Sequence, residues 1–165
     1  MAAEPLVSII VGSTSDADTI AKCRKTLDEL GIAHEAKVLS AHRTPGELVA
    51  YVDSLPGRGV KIIIAAAGMS AHLAGVTAAH TTLPVLGIPV ASGALQGVDA
   101  LLSTSQMPPG VPVGCMGIGG PGATNAAYLA ARILALGDGG IAERLAAATG
   151  KMRDKVLGAS LPDSY

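Results

Sequence analysis

His42 stands beside Arg43 in the string Ser40-Ala41-His42-Arg43-Thr44-Pro45, between an apolar run and a helical pattern. Imidazole is the side chain whose ordinary pKa lies near neutrality, so it suits proton transfer. A guanidinium can hold a phosphate through two parallel hydrogen bonds. The pair therefore suits acid–base chemistry next to a bound phosphate, with a solvated loop as the plain alternative. Thr44 and Pro45 also suit a helix cap and a first helical position.

Two further loops carry polar groups at comparable places. Gly12-Ser13-Thr14-Ser15-Asp16 follows the first apolar run. Gly12 permits a sharp turn, and the hydroxyls with a helix N-terminus suit an anion. Asp16 could accept from ribose hydroxyls, or could simply cap the helix. Gly68-Met69-Ser70-Ala71-His72-Leu73-Ala74-Gly75 follows the third run, where small residues let backbone approach a planar ligand. His72 reads equally as a ligand-site residue or a helix-start histidine. His80 reads as structural, near a helix end where a cation meets the negative dipole. His34 reads as a surface residue of a strand.

Other patterns carry less. Gly117-Ile118-Gly119-Gly120-Pro121-Gly122 has the spacing of the dinucleotide fingerprint. It follows the last strand rather than the first, and only helix comes after it, so no following strand can supply the acidic partner. It reads as a glycine-rich turn or as part of a pocket built between subunits. Cys23 and Cys115 stand apart from each other and from any His cluster, which gives no support for a metal site. Reduced thiols in a cytoplasmic protein are the expectation, and no signal peptide is expected at the start.

The elements that must position these loops alternate along the chain. Strands are expected over 6–11, 33–39, 61–67, 84–90 and 113–118. Helices are expected over 16–30, from Pro45 to Leu55, over 71–80, 99–105 and 123–136, and finally over about 141–157. That order implies one domain over 1–165, with a parallel sheet and helices on both faces. Ligands of such sheets bind beyond the carboxyl ends of the strands, where the three polar loops lie. The final helix is a candidate for packing on a neighbouring subunit.

Composition narrows the class. The chain has 165 residues, 49% hydrophobic and 15% charged, with a net charge of −1 and neither Trp nor Phe. Disorder is excluded by the apolar content. A nucleic-acid binder that stacks bases on aromatic platforms is disfavoured. Between Ile62 and Ala131 the only Asp, Glu, Lys or Arg is Asp99. Polar residues and prolines interrupt that stretch too often for a membrane span. A half so poor in charge is expected to face other copies of the chain, in a homo-oligomer.

These loops together resemble the class I PurE family of purine biosynthesis. The similarity rests on Gly12-Ser13 with Ser15-Asp16, on Ser40 to Pro45, and on Ala71-His72-Leu73 with Gly75. It continues through Leu83 to Val90, Gly97 to Leu102, Gln106 to Pro108, Gly110 to Val113 and Asn125-Ala126. The resemblance implies a three-layer flavodoxin-like subunit in a homo-octamer, with sites at subunit contacts. It implies a mutase that turns N5-carboxyaminoimidazole ribonucleotide into 4-carboxy-5-aminoimidazole ribonucleotide, without metal or organic cofactor. It also implies a functional link to the ATP-dependent synthetase that makes the substrate. By position, Ser13, Asp16 and Arg43 would bind the ribotide and His42 would be the general acid/base. Gly12, Ser15, Ser40, Ala41, Gly68, His72 and Leu73 complete the expected substrate site. Class II relatives, which carboxylate aminoimidazole ribonucleotide directly, typically have Lys where this chain has Arg43. Direct carboxylation is the enzymatic alternative, and a non-catalytic nucleotide-binding oligomer is the alternative of a different class.

Overall fold

The computed structural model describes residues 4–161. Five strands form one sheet: β1 (Val7–Val11), β2 (His34–Val38), β3 (Ile62–Gly68), β4 (Val85–Val90) and β5 (Gly114–Cys115). Their order is β2-β1-β3-β4-β5, and every neighbouring pair is parallel. The chain moves outward in one direction from β1 to β2 and in the other from β1 to β3. The loops after β1 and β3 therefore diverge around a crevice at the carboxyl edge. The parallel sheet is as the alternating pattern led one to expect, and its order is the flavodoxin-like one that the resemblance implied.

The helices are α1 (Ala17–Glu29), α2 (Pro45–Ser54), α3 (Leu73–Ala79), α4 (Val98–Ser105), α5 (Gly119–Leu134) and α6 (Gly139–Leu157). Because side chains alternate along a strand, the sheet sorts its residues onto two cores. Val7, Ile9, Ile62 and Ile64 face α1 and α5. Ile10, Ile63 and Ala65 face α2 and α3. All of β1 and the first five residues of β3 are buried, as continuous apolar runs covered on both faces should be. Under α2, buried Ser8 shares a 2.8 Å hydrogen bond with the Tyr51 hydroxyl, which in turn donates to Glu35 at 2.8 Å.

Several boundaries differ from the sequence expectation, each for a local reason. The fifth strand is two residues rather than 113–118. Its last ladder bond is from Met116 N–H to the Gly87 carbonyl at 2.8 Å, and Gly119 at φ 68° then turns the chain into α5. α5 thus begins four residues before the expected 123. Pro121 falls in its first turn, where the missing N–H is not needed. Gly139 and Gly140 do not lie outside the last helix but open it, under an Asp138 side chain that accepts from Ile141 N–H at 3.0 Å. His34 is not a surface side chain: its ring is 6% exposed, with Nδ1 3.1 Å from the Ile32 carbonyl. Edge strand β2 lies close enough to α1 for Arg24 to reach this ring.

The charge-poor half has a simple internal cause. It contains β3 and β4, two of the three strands that are flanked on both sides, and the inner face of α5, where Ala123, Ala126, Ala127, Ala130 and Ala131 are all fully buried. Part of the half is nonetheless open, with Leu95, Val98 and Leu102 each more than half exposed. The second half of α6, from Lys151 to Leu157, is exposed throughout. Among the described residues, no helix is long and apolar enough to cross a membrane.

Candidate active site

The first loop is shaped by its own hydroxyls. Ser13 is extended, and its Oγ accepts from Ser15 N–H at 3.3 Å, which starts a short 3-10 turn over Thr14–Asp16. Asp16 occupies the N-cap position of α1, yet its carboxylate makes no cap bond. Its one side-chain hydrogen bond comes from Ser15 Oγ at 3.3 Å. The ordinary capping role is therefore unfilled, and the carboxylate is left for something else. Burial pushes the Asp16 pKa up, against smaller opposing effects of Ser15, Ser13 and the Arg43 charge.

The second loop is a knot centred on Ser40. Thr44 N–H donates to the Ser40 carbonyl at 3.0 Å, and the Thr44 hydroxyl accepts from Ser40 N–H at 2.9 Å. Thr44 is at the N-cap position of α2, with Pro45 first in the helix as expected, but its hydroxyl ties this turn instead of capping. The Ser40 hydroxyl accepts from both the backbone N–H and Nε of Arg43, each at 3.2 Å. The far end of the guanidinium donates to the Gly12 carbonyl. Arg43 therefore bridges the loops after β2 and β1, held at both ends with donors to spare.

The third loop supplies the partner of His42. Nε2 of His42 lies 2.8 Å from Nδ1 of His72, with the rings edge to face at 4.9 Å between centres. This bond requires one of the two nitrogens to carry a proton and the other to lack it. A histidine pair so joined can hold one transferable proton between them, and each ring keeps its second nitrogen for a ligand. His72 is at the N-cap position of α3, with no side-chain cap bond. Of its two sequence readings, the geometry favours the site. His80, by contrast, is the C-cap of the same helix and lies outside the cavity.

The loops enclose one cavity of about 480 Å³ at the carboxyl edge of the sheet. Gly12, Ser13, Ser15 and Asp16 form one wall, and Ser40, Ala41, His42 and Arg43 the next. Gly68, His72 and Leu73 form a third. The residues expected to form the substrate site are thus brought together around one cavity. Met69 and Ser70 also line the cavity, and Met69 holds φ 56°, a conformation uncommon for a side-chain-bearing residue. Sequence reasoning missed Ser92, which enters from the loop after β4. Its signal was position: it is the first polar residue past the carboxyl end of a buried strand. The Gly117–Gly122 run contributes nothing to this cavity. Instead, a Cβ on Gly122 would sit 1.6 Å from the Gly117 carbonyl oxygen, so the glycines serve a close backbone crossing. Among the described residues no three His, Cys, Asp or Glu side chains gather as a metal centre needs.

Known proteins resemble the chain in sequence and in fold. A family model described as AIR carboxylase matches residues 6–155. The N5-carboxyaminoimidazole ribonucleotide mutase of Bacillus subtilis is 54% identical over 142 residues, which cover 86% of this chain and 88% of that protein. The bifunctional purine synthesis protein purC/E of Dictyostelium discoideum is 54% identical over 132 residues, or 80% of this chain and 13% of that protein. The crystal structure of Treponema denticola PurE has a TM-score of 0.83 at 29% identity, covering 93% of this chain and 94% of that one. Five parallel strands in this order, helices on both faces, and a sequence matched over almost its whole length lead to one conclusion: the chain belongs to the AIR carboxylase, or PurE, family.

Proposed function

We propose that the protein is an isomerase of purine biosynthesis that converts N5-carboxyaminoimidazole ribonucleotide to 4-carboxy-5-aminoimidazole ribonucleotide. The observation that carries this reading is the 2.8 Å His42–His72 pair beside an Arg43 anchored on Ser40 and Gly12. One end of the cavity suits a phosphate, through Arg43, the Ser13 and Ser15 hydroxyls and the N-terminus of α1. Asp16, free of capping duty, accepts from the ribose hydroxyls. Gly68, Ala41 and Leu73 close around the imidazole.

The reaction moves a carboxyl group and returns every proton. Protonated His42 donates to N5 as the N5–carboxyl bond breaks, with the bonding pair staying on nitrogen, and carbon dioxide is released into the cavity. C4 then attacks that carbon dioxide and forms a carbon–carbon bond. The now neutral His42 takes the proton from C4, which restores the aromatic ring and the starting charge of the histidine. One imidazole serves as acid and then as base, with His72 as its hydrogen-bonded partner. Holding phosphate and ribose fixes the ring beside His42, and such positioning supplies much of the rate.

Replacing His42 by Asn removes the proton carrier and leaves the anchors. His42→Asn should bind the ribotide within a few-fold of wild type and lose turnover by about three orders of magnitude or more. The check is calorimetric binding alongside an assay offering the N5-carboxy ribotide, and separately aminoimidazole ribotide with bicarbonate. Wild-type conversion of the second mixture alone would establish direct carboxylation instead. Near wild-type turnover of His42→Asn would remove the mechanism.

The same reading includes assembly and pathway. A homo-oligomer, an octamer by family resemblance, is supported by the exposed Leu95, Val98 and Leu102 and by the outlying end of α6. An N-carboxylated amine is unstable enough that an ATP-dependent synthetase must supply it close by. Placement in purine synthesis is supported by the larger Dictyostelium relative, whose name couples two activities of that pathway.

A further inference from the structure

Ser92 carries an unexplained hydroxyl. Its Oγ is out of contact with solvent and has no hydrogen-bond partner among the described residues. A hydroxyl left buried and unpaired keeps its full desolvation penalty, and native structures rarely tolerate it without a reason. The residue lies on the wall of the active cavity, two positions beyond the end of β4.

Its surroundings narrow what it could meet. Gly68 ends β3 and is paired with Val90 of β4. A Cβ on Gly68 would stand 2.6 Å from Ser92 Oγ, so the bare glycine is what makes room for this hydroxyl. Charged and hydroxyl groups suited to a sugar phosphate belong to the loops after β1 and β2, on the other side of β3 in the strand order. His42 starts from the β2 loop, yet its ring reaches across to His72 after β3. The proton carrier thus points toward the side where Ser92 waits. Besides Ser92, that side presents the small or apolar Ala67, Gly68, Met69 and Leu73; its other hydroxyl, on Ser70, is exposed to solvent, so Ser92 alone there is a buried and unpaired donor.

We propose that the Ser92 hydroxyl donates a hydrogen bond to the carboxyl group in transit, holding an oxygen of carbon dioxide between its departure from N5 and its attachment to C4. No bond to Ser92 forms or breaks. The hydroxyl is unpaired in the ligand-free protein because its partner is the migrating group. The same hydrogen bond orients the carbon toward C4 and delays its escape. This inference rests on the mutase reading, and its test separates the two.

The experiment supplies the N5-carboxy ribotide in buffer containing carbon-13 carbon dioxide and bicarbonate. It follows turnover, release of free aminoimidazole ribotide, and label in the product, for wild type and Ser92→Ala. Ser92→Ala removes an unpaired buried hydroxyl, so its Tm should equal or exceed that of wild type. Its turnover should fall about tenfold or more, with more label in the product and more free aminoimidazole ribotide. Ser92→Cys, of similar shape and with a weak donor, should fall between the two. A variant that matches wild type in turnover and label overturns the inference and leaves the mutase reading intact. So does one whose turnover falls while label and release stay at wild-type values. Failure of wild type to convert this substrate overturns the reading beneath it.

Discussion

Asp16 holds a carboxylate in partial burial at a helix start without using it as a cap. Its pKa in the folded protein is raised above 3.8, with burial as the main cause. The folded state therefore binds the proton more tightly than the unfolded state does. The resulting stability is present in full below pH 3.8 and is lost as pH rises through the folded value. At neutral pH the ionised Asp16 is a cost to the ligand-free fold, which the proposed ribose contact would offset when the ribotide binds. Asp16→Asn should thus raise the ligand-free Tm near neutrality. That advantage should shrink to nothing as the pH is brought below 3.8. The same variant should bind ribotide about tenfold or more weakly. Thermal melts across the acid range and a binding titration check both halves. A variant less stable than wild type at neutral pH would show that Asp16 is structural after all. His42, Arg43 and Ser40 illustrate the opposite economy, because each has a partner in place before any ligand arrives.

At the scale of elements, short loops leave the strands of the carboxyl edge directly into helix N-termini. Ser13 and Thr44 fold their loops with side-chain hydrogen bonds, and each loop is thereby fixed at its base. On the opposite side, α5 is seated against the exit of β5 by the crossing of Gly122 over Gly117. Helix α1 is tied at its other end, where Arg144 Nε of α6 donates to the Leu30 carbonyl at 2.6 Å. The glycine crossing has no tolerance for a methyl group, since the obstacle is backbone rather than a side-chain end that can turn away. Gly122→Ala should destabilise the protein by roughly 3 kcal/mol and lower Tm by about 10 °C. A melt with unchanged midpoint would mean that the crossing is loose. A substitution at Gly12, where a Cβ meets nothing within 4 Å, provides the matched control for stability.

At the scale of the molecule, the scarcity of charge between Ile62 and Ala131, where Asp99 stands alone, divides into two causes. Central strands and the alanine face of α5 need no charge because they are interior. Leu95, Val98 and Leu102 form an exposed apolar strip without such cover within the chain, and Val98 and Leu102 are one helical turn apart on α4. Buried against a copy, each such side chain would contribute about 1.5–3 kcal/mol. Leu102→Asp should therefore shift the solution mass from a multiple of 16.3 kDa toward the monomer while leaving the secondary structure intact. Light scattering after size separation reads the mass directly. A wild-type protein that runs as a monomer would contradict the proposed assembly and leave the family membership untouched.

The sequence by itself determined the alternation of elements, the parallel sheet and the identity of the polar loops. Those features are local: apolar periodicity, a proline at a helix start, hydroxyls next to strand ends. It also placed His34 on the surface and gave the fifth strand six residues, because neither α1 folding over β2 nor the early turn at Gly119 is written in local pattern. Only the tertiary structure decided what meets. His42 and His72 are thirty positions apart, and their hydrogen bond depends on β1 lying between β2 and β3. The GxGxxG run read as a glycine-rich turn because it follows the last strand, and only the fold shows that its glycines serve a backbone crossing. Ser92 looked like an interruption in an apolar run, and the strand order puts it on the cavity wall with its hydroxyl unpaired. Periodicity fixes which way a side chain faces along its own element, whereas chemistry between elements waits on the order in which the strands are laid side by side.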